Sequence, residues 1–180
     1  MQTRFLATIL IVLGFVWSLP GDAVAAEPAR LAADGSLVIA GKHLRCQNVR
    51  ARLDRKLPNP GAAAIGQRLL LINPVQIARM PETVQVFVFY HECGHHNAGA
   101  SELGADCWAV ERGVEGGWLD RQGLNDVCRS FGDAPETPTH PSGKRRCAHL
   151  DRCYAAAEVL SRARPRLVEN PQLVRAGMVR

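Results

Sequence analysis

The stretch Val84-Gln85-Val86-Phe87-Val88-Phe89-Tyr90-His91-Glu92-Cys93-Gly94-His95 decides how the chain is read. Its first seven residues fit a strand as well as a helix. The His91-Glu92-Cys93-Gly94-His95 that follows is an H-E-x-x-H pattern, which favours helix. On a helix, residues four apart lie about 40° apart around the axis, so His91 and His95 face one side, one turn apart. Val84, Phe87, Val88, His91 and His95 keep helical spacing, and Pro81 and Glu82 suit the first turn of a helix running to about His96. Two neutral imidazoles so placed can bind one Zn2+ ion. Glu92 stands beside that face, positioned to accept a proton from an attacking water and pass it to a leaving amine. His96 points off the face and reads as structural or solvent-facing; Tyr90 reads as packing.

A catalytic zinc site needs a third protein ligand and one open position. Glu102-Leu103-Gly104-Ala105-Asp106 offers two candidates. Glu102 and Asp106 share a helix face. One carboxylate can bind the metal while the other accepts an N–H from a ligand histidine and fixes its tautomer. Spacing does not choose between them.

Outward from this centre, Gly99 ends the first helix and Ser101 caps a second from Glu102 to Arg112, stopped by Gly113. Trp118 to Phe131 reads as a third helix with Leu119, Leu124, Val127, Cys128 and Phe131 inward. Gly132 to Gly143 is a Pro-rich loop and Lys144 to Arg164 a last helix. Upstream, residues 27–36 read as an irregular lead-in and Leu37 to Ala40 as a short strand. Leu44 to Leu57 fits helix or strand, and Pro58-Asn59-Pro60-Gly61 is a break. Gln67 to Ile72 reads as a buried strand ended by Asn73-Pro74, and Val75 to Met80 as a helical turn or two.

The chain has 180 residues, 22 Lys+Arg against 17 Asp+Glu, and 47% hydrophobic residues. That excludes full-length disorder, a large multidomain assembly and a complete (β/α)8 barrel. Arg4, the apolar run Phe5 to Trp17 and the small residues Ala23-Val24-Ala25-Ala26 have the layout of a secretory signal peptide over residues 1–26, with an uncleaved anchor as the alternative. The organisation expected is a signal peptide (1–26), one domain (27–164) and a basic, disordered tail (165–180). The +5 charge is scattered, and nucleic acid is not an expected partner. All six Cys lie beyond the leader, and an even count there suggests disulfides in an oxidising compartment, periplasmic or extracellular.

His91-Glu92-Cys93-Gly94-His95, then Glu102 to Asp106, then Thr139-His140-Pro141-Ser142 with Arg146 and Leu150, resembles the gluzincin metallopeptidases of the HtpX and CAAX-prenyl-protease type and their small soluble minigluzincin relatives. The resemblance covers roughly Leu69 to Tyr154. It implies His91, His95 and Glu102 as metal ligands and Glu92 as general base. It implies Asp106 as support for a ligand histidine, with Asp106 also the alternative third ligand. It implies His140 beside the catalytic centre as an oxyanion stabiliser, and Arg146 as structural or orienting. A strand before the active helix would pair with an extended peptide, and Leu69 to Ile72 is either that edge or a buried core strand. Integral-membrane relatives have several spans, whereas no segment after the leader is long and apolar enough to be one. The link from His95 to Glu102 is also far shorter than in those enzymes, so the turn at Gly99 must return the chain at once.

Cys93 and Cys107 lie in the two expected ligand helices, and a disulfide between them would pin those helices together. Other partners or buried thiols are the alternative. Cys128, Cys147 and Cys153 would staple the C-terminal helices, with Cys46 tied to one of them. The sequence is thus expected to adopt an α+β, zincin-like fold with a small sheet, an active helix and a helical C-terminal half. The expected function is secreted or periplasmic zinc-dependent hydrolysis of a peptide or protein substrate. A secreted zinc-binding module, a non-peptidase hydrolase on the same fold and a metal-free disulfide-stapled structural protein are the alternatives.

Overall fold

The computed structural model describes residues 27–169, so the expected leader and residues 170–180 lie outside the described residues. The N-terminal sheet is antiparallel, ordered β1 (Arg30–Leu31), β2 (Leu37–Ile39) and β3 (Lys42–Leu44). Ala40 and Gly41 join β2 to β3 with φ of +48° and +70°, the paired positive values of a tight hairpin. The lead-in expected to be irregular contains β1. Asp34 accepts hydrogen bonds from the Ser36 amide at 2.9 Å and hydroxyl at 2.6 Å, and this turn folds Arg30 back onto Val38.

The next sheet is ordered β4-β6-β5, from β4 (Arg50–Leu53), β5 (Gly61–Ala64) and β6 (Leu69–Ile72), with β4 parallel and β5 antiparallel to β6. The undecided segment 44–57 is therefore strand at Leu44 and again at Arg50–Leu53. Leu69 to Ile72 is the central strand, and Leu70 and Ile72 are fully buried. Of the two readings for that segment the buried core strand holds. The edge beside the helix that carries His91 and His95 belongs to β5, whose alanines gave little sign of a strand.

Five helices follow: α1 (Pro74–Ile77), α2 (Glu82–Asn97), α3 (Glu102–Glu115), α4 (Arg121–Phe131) and α5 (Gly143–Glu169). α2 is central because two of its faces are apolar. Val86, Phe89 and Cys93 face the sheets, in a core with Leu37, Ile39, Leu70 and Ile72. Val84 and Phe87 face α3, α4 and α5, in a core with Val110, Leu124, Val127 and Leu150. Burying each large apolar side chain contributes roughly 1.5–3 kcal/mol, so α2 is held from both sides. Its remaining face carries the histidines.

α3 runs through Gly113, which was expected to stop it. A Cβ at Gly113 would lie 2.5 Å from that of Leu119, so this glycine lets the following loop pack against the helix. α5 likewise continues through Pro165 to Glu169, into the stretch assigned to the tail.

The disulfides join Cys46 to Cys93, Cys107 to Cys153 and Cys128 to Cys147. The expected Cys93–Cys107 pair does not form, and Cys46 is not tied to the C-terminal cysteines. Cys93 belongs to the sheet-facing stripe of α2, whereas Cys107 faces α5 from α3. The pair of bridges among the C-terminal helices does staple them, with Cys107 as an additional partner. Three disulfides suit an oxidising environment. Among the described residues no helix is long and apolar enough to cross a membrane.

Candidate metal centre

Two helices supply the centre, and a tight turn joins them. α2 ends at Asn97, Gly99 takes φ +87°, and Ser101 caps α3 by accepting a hydrogen bond from the Gly104 amide at 3.2 Å. Glu102, the first residue of α3, is thereby returned beside the last two turns of α2. His91, His95 and Glu102 each present a ligand atom, all within 4.8 Å of one another. The Nε2 atoms of His91 and His95 lie 3.3 and 3.5 Å from the Glu102 carboxylate oxygens.

The tautomers follow from the outer contacts. His91 donates from Nδ1 to the Asp106 carboxylate at 2.9 Å. His95 donates from Nδ1 to the Gly99 carbonyl at 3.2 Å. Both Nε2 atoms are then left as lone-pair donors, 3.2 Å apart. Two lone pairs facing each other and a carboxylate at that distance repel unless a cation, either a proton or a metal ion, lies among them. The donor set, two imidazoles and a carboxylate, could hold a metal ion.

Asp106 is completely buried. Arg146 grips it with two hydrogen bonds of 2.8 and 2.6 Å, while the guanidinium carbon stands 4.1 Å from the centre of the Phe131 ring. Burial alone would push the Asp106 carboxyl upward, but the Arg146 and His91 hydrogen bonds hold it below the ordinary carboxylate range. The same balance acts on Glu102. Burial raises its pKa, and the two histidines outweigh this to hold it well below the ordinary range. For His91 burial opposes charge, yet Asp106 and Glu102 raise its pKa to about 9. The site therefore favours positive charge at His91.

Glu92 lies on the adjacent face of α2, against β5. A Cβ at Gly61 would stand 2.8 Å from the Glu92 Cγ and 2.9 Å from the Val88 side chain, so the strand backbone passes directly over Glu92. Burial raises the Glu92 pKa, and the neighbouring His91 and His95 only partly offset this. A carboxylate in that setting is a better base than one in water.

These groups open into a cleft of about 640 Å³. One wall is the backbone of Gly61-Ala62-Ala63, and the other includes Met80, Val84, Phe87 and Phe131. His140, carried on the Gly132–Ser142 loop, reaches the rim with Nε2 3.6 Å from Glu102, and 60% of its side chain is exposed. His96 is half-buried off the ligand face, where burial lowers its pKa. Tyr90 stacks on Trp118 at 5.1 Å, as packing.

The structure thus gathers His91, Glu92, His95, Glu102 and His140 around one cleft, with Asp106 buried behind His91, but separates Cys93 from Cys107. Asp106 faces His91 Nδ1, on the far side of the ring from Glu102, which leaves Glu102 as the carboxylate next to both Nε2 atoms. Sequence reasoning missed Gly61 and β5. The signal was the small-residue run Gly61-Ala62-Ala63-Ala64, which can form a strand without side-chain bulk beside a helix. Compared with protein-family models, with curated proteins and with solved structures, the chain gave no match.

Proposed function

We propose that the chain is an exported zinc-dependent metallopeptidase of zincin-like, gluzincin type, acting in the periplasm or outside the cell. The observation that supports it most is the convergence of two imidazole lone pairs and the Glu102 carboxylate next to Glu92 in an open cleft. His91, His95 and Glu102 would hold the ion. When bound, zinc supplies a Lewis acid that acidifies water and polarises a carbonyl.

The remaining work falls to side chains of this chain. Glu92 takes the proton of the attacking water on a carboxylate oxygen and delivers it to the leaving amine nitrogen. His140 donates from the rim to the oxygen that gains negative charge in the tetrahedral intermediate. Asp106, clamped by Arg146, keeps the His91 proton on Nδ1 and the ring in orientation. The edge strand β5 pairs with β6 on one side, and its free side can pair with an extended substrate backbone. That edge favours a peptide over a small ester or amide.

The test is zinc content of the purified mature chain together with hydrolysis of a peptide library by wild type and Glu92→Gln. The expected result is one zinc per chain in both proteins and a loss of about 10²–10⁴-fold in turnover for the variant. Full activity in Glu92→Gln, or a wild type that takes up no zinc, overturns the proposal.

A further inference from the structure

The Cys128–Cys147 disulfide joins the C-terminal part of α4 to the first turns of α5, across a sequence separation of 19. The chain it closes contains His140 and, immediately before Cys147, Arg146. Arg146 forms the two hydrogen bonds that hold the buried Asp106 against His91. His140 stands over Glu102. Both residues reach the site from the same covalent ring.

The loop in this ring is largely exposed, and its backbone hydrogen bonds close within the ring itself. Thr137 donates its amide to the His140 carbonyl at 2.8 Å, Gly143 to the Ala134 carbonyl at 2.9 Å, and Arg145 pairs with Glu136 at 2.6 Å. Such contacts shape the loop; beyond the approach of His140 to Glu102, its hold on the body comes from its ends, where Cys128 and Phe131 pack against the helical core. The bridge also differs in access. Cys46, Cys93 and Cys153 are buried, so each of the other disulfides has a buried member. Cys128 and Cys147 are both only partly buried.

We propose that the Cys128–Cys147 disulfide is the positioning device for Arg146 and His140, and that it makes the centre sensitive to thiol reductants. This rests on reading His91, His95 and Glu102 as a metal centre. In the reductive step a dithiol attacks one sulfur and the S–S bond breaks. Two electrons and two protons pass from the reductant to Cys128 and Cys147, and the reductant leaves as its own cyclic disulfide. With the ring open, Arg146 loses its fixed approach to Asp106, and His140 its place at the rim.

The experiment compares the full mature chain with Cys128→Ser/Cys147→Ser, using zinc affinity by competition with a chromophoric chelator and amide hydrogen exchange by mass spectrometry. The expected result is zinc affinity about 10-fold or more weaker, as for loss of a residue supporting a metal ligand. Faster exchange should be confined to residues 132–147, with α2 still protected. Zinc affinity within twofold of wild type overturns the inference. The exchange measurement needs no metal. Unchanged protection of 132–147 in zinc-free variant overturns the inference even if wild type binds zinc. Bridge-dependent protection in a wild type that takes up no zinc overturns the metal-centre reading instead. If the double variant does not fold, wild type is titrated with a dithiol and alkylated. Labelling of Cys128 and Cys147 first, in step with zinc release, supports the inference, and labelling of any other pair first overturns it.

Discussion

Gly94 of α2 lies against the backbone of Ala105 of α3: a Cβ at position 94 would stand 2.8 Å from the Ala105 carbonyl oxygen and 2.9 Å from its Cα. This contact lets the helix carrying His91 and His95 approach the helix carrying Glu102 and Asp106. It explains how a link of six residues between His95 and Glu102 closes a common site.

Gly94→Val should force the two helices apart, because backbone atoms cannot swing aside as a side chain can. Overpacking of this kind costs about 1–3 kcal/mol. Thermal unfolding should show that loss, and chelator competition should show weaker zinc binding than in a control such as Gly66→Ala, where a Cβ meets open space. Equal zinc affinity in the two variants would refute the role given to the contact.

Asp106 and Arg146 form a buried pair beside His91. Arg146→Met leaves the Asp106 carboxylate without its main partner, a change that typically costs about 3–5 kcal/mol. Asp106→Asn/Arg146→Met should be less destabilised than the sum of the single variants, because the stranded charge is removed. Denaturant unfolding of the four proteins gives the coupling, and additivity would show that the pair acts as two independent residues.

Gly61 passes over Glu92 with no room for a side chain. Gly61→Val should displace Glu92 and Val88 while leaving His91, His95 and Glu102 in place. Turnover should fall by about 10-fold or more, as expected for a base misplaced by roughly 1 Å, with zinc stoichiometry unchanged. Loss of zinc together with activity would place Gly61 in the support of the ligands instead.

The pH dependence of the chelator-treated protein follows from the shifted groups. His91 is raised from about 6.5 to about 9. The stability it contributes is fully present below about pH 6.5 and is lost as pH rises through about 9. Glu102 and Asp106 are lowered, so their contribution is present above the ordinary carboxylate range and is lost on acidification. Thermal midpoints of the metal-free protein should therefore decline both above neutrality and in acid. On the proposed function zinc should flatten the alkaline decline, because an ion held by His91, His95 and Glu102 would replace the proton there. A metal-free midpoint that does not change between pH 6 and pH 10 would contradict the charge balance described for His91.

The sequence by itself determined the parts whose information is local. The four-residue spacing of His91 and His95 put both on one helix face, because helical periodicity depends on nothing else. Gly99 and Ser101 marked the turn between α2 and α3 through a left-handed φ and a capping hydroxyl. Asp106 was read beside the histidines from its spacing to Glu102, and Arg146 only through the family resemblance; their mutual hydrogen bonds across 40 residues were not legible.

Tertiary structure decided the rest. The local sequence left two readings for Leu69 to Ile72, and only pairing with β4 and β5 made it the central strand. The alanine run after Gly61 has weak strand propensity and became a strand by joining β6. Disulfide pairing is a property of distance in space. Six cysteines carry no record of their partners, and Cys93 turned from Cys107 toward Cys46 because its stripe on α2 packs against the sheets. The H-E-x-x-H spacing names the residues of the site. Whether Glu102, His140 and the Glu92–Gly61 contact reach the same cleft depends on how closely α2, α3 and β5 pack, and that packing is set by contacts far apart in the chain.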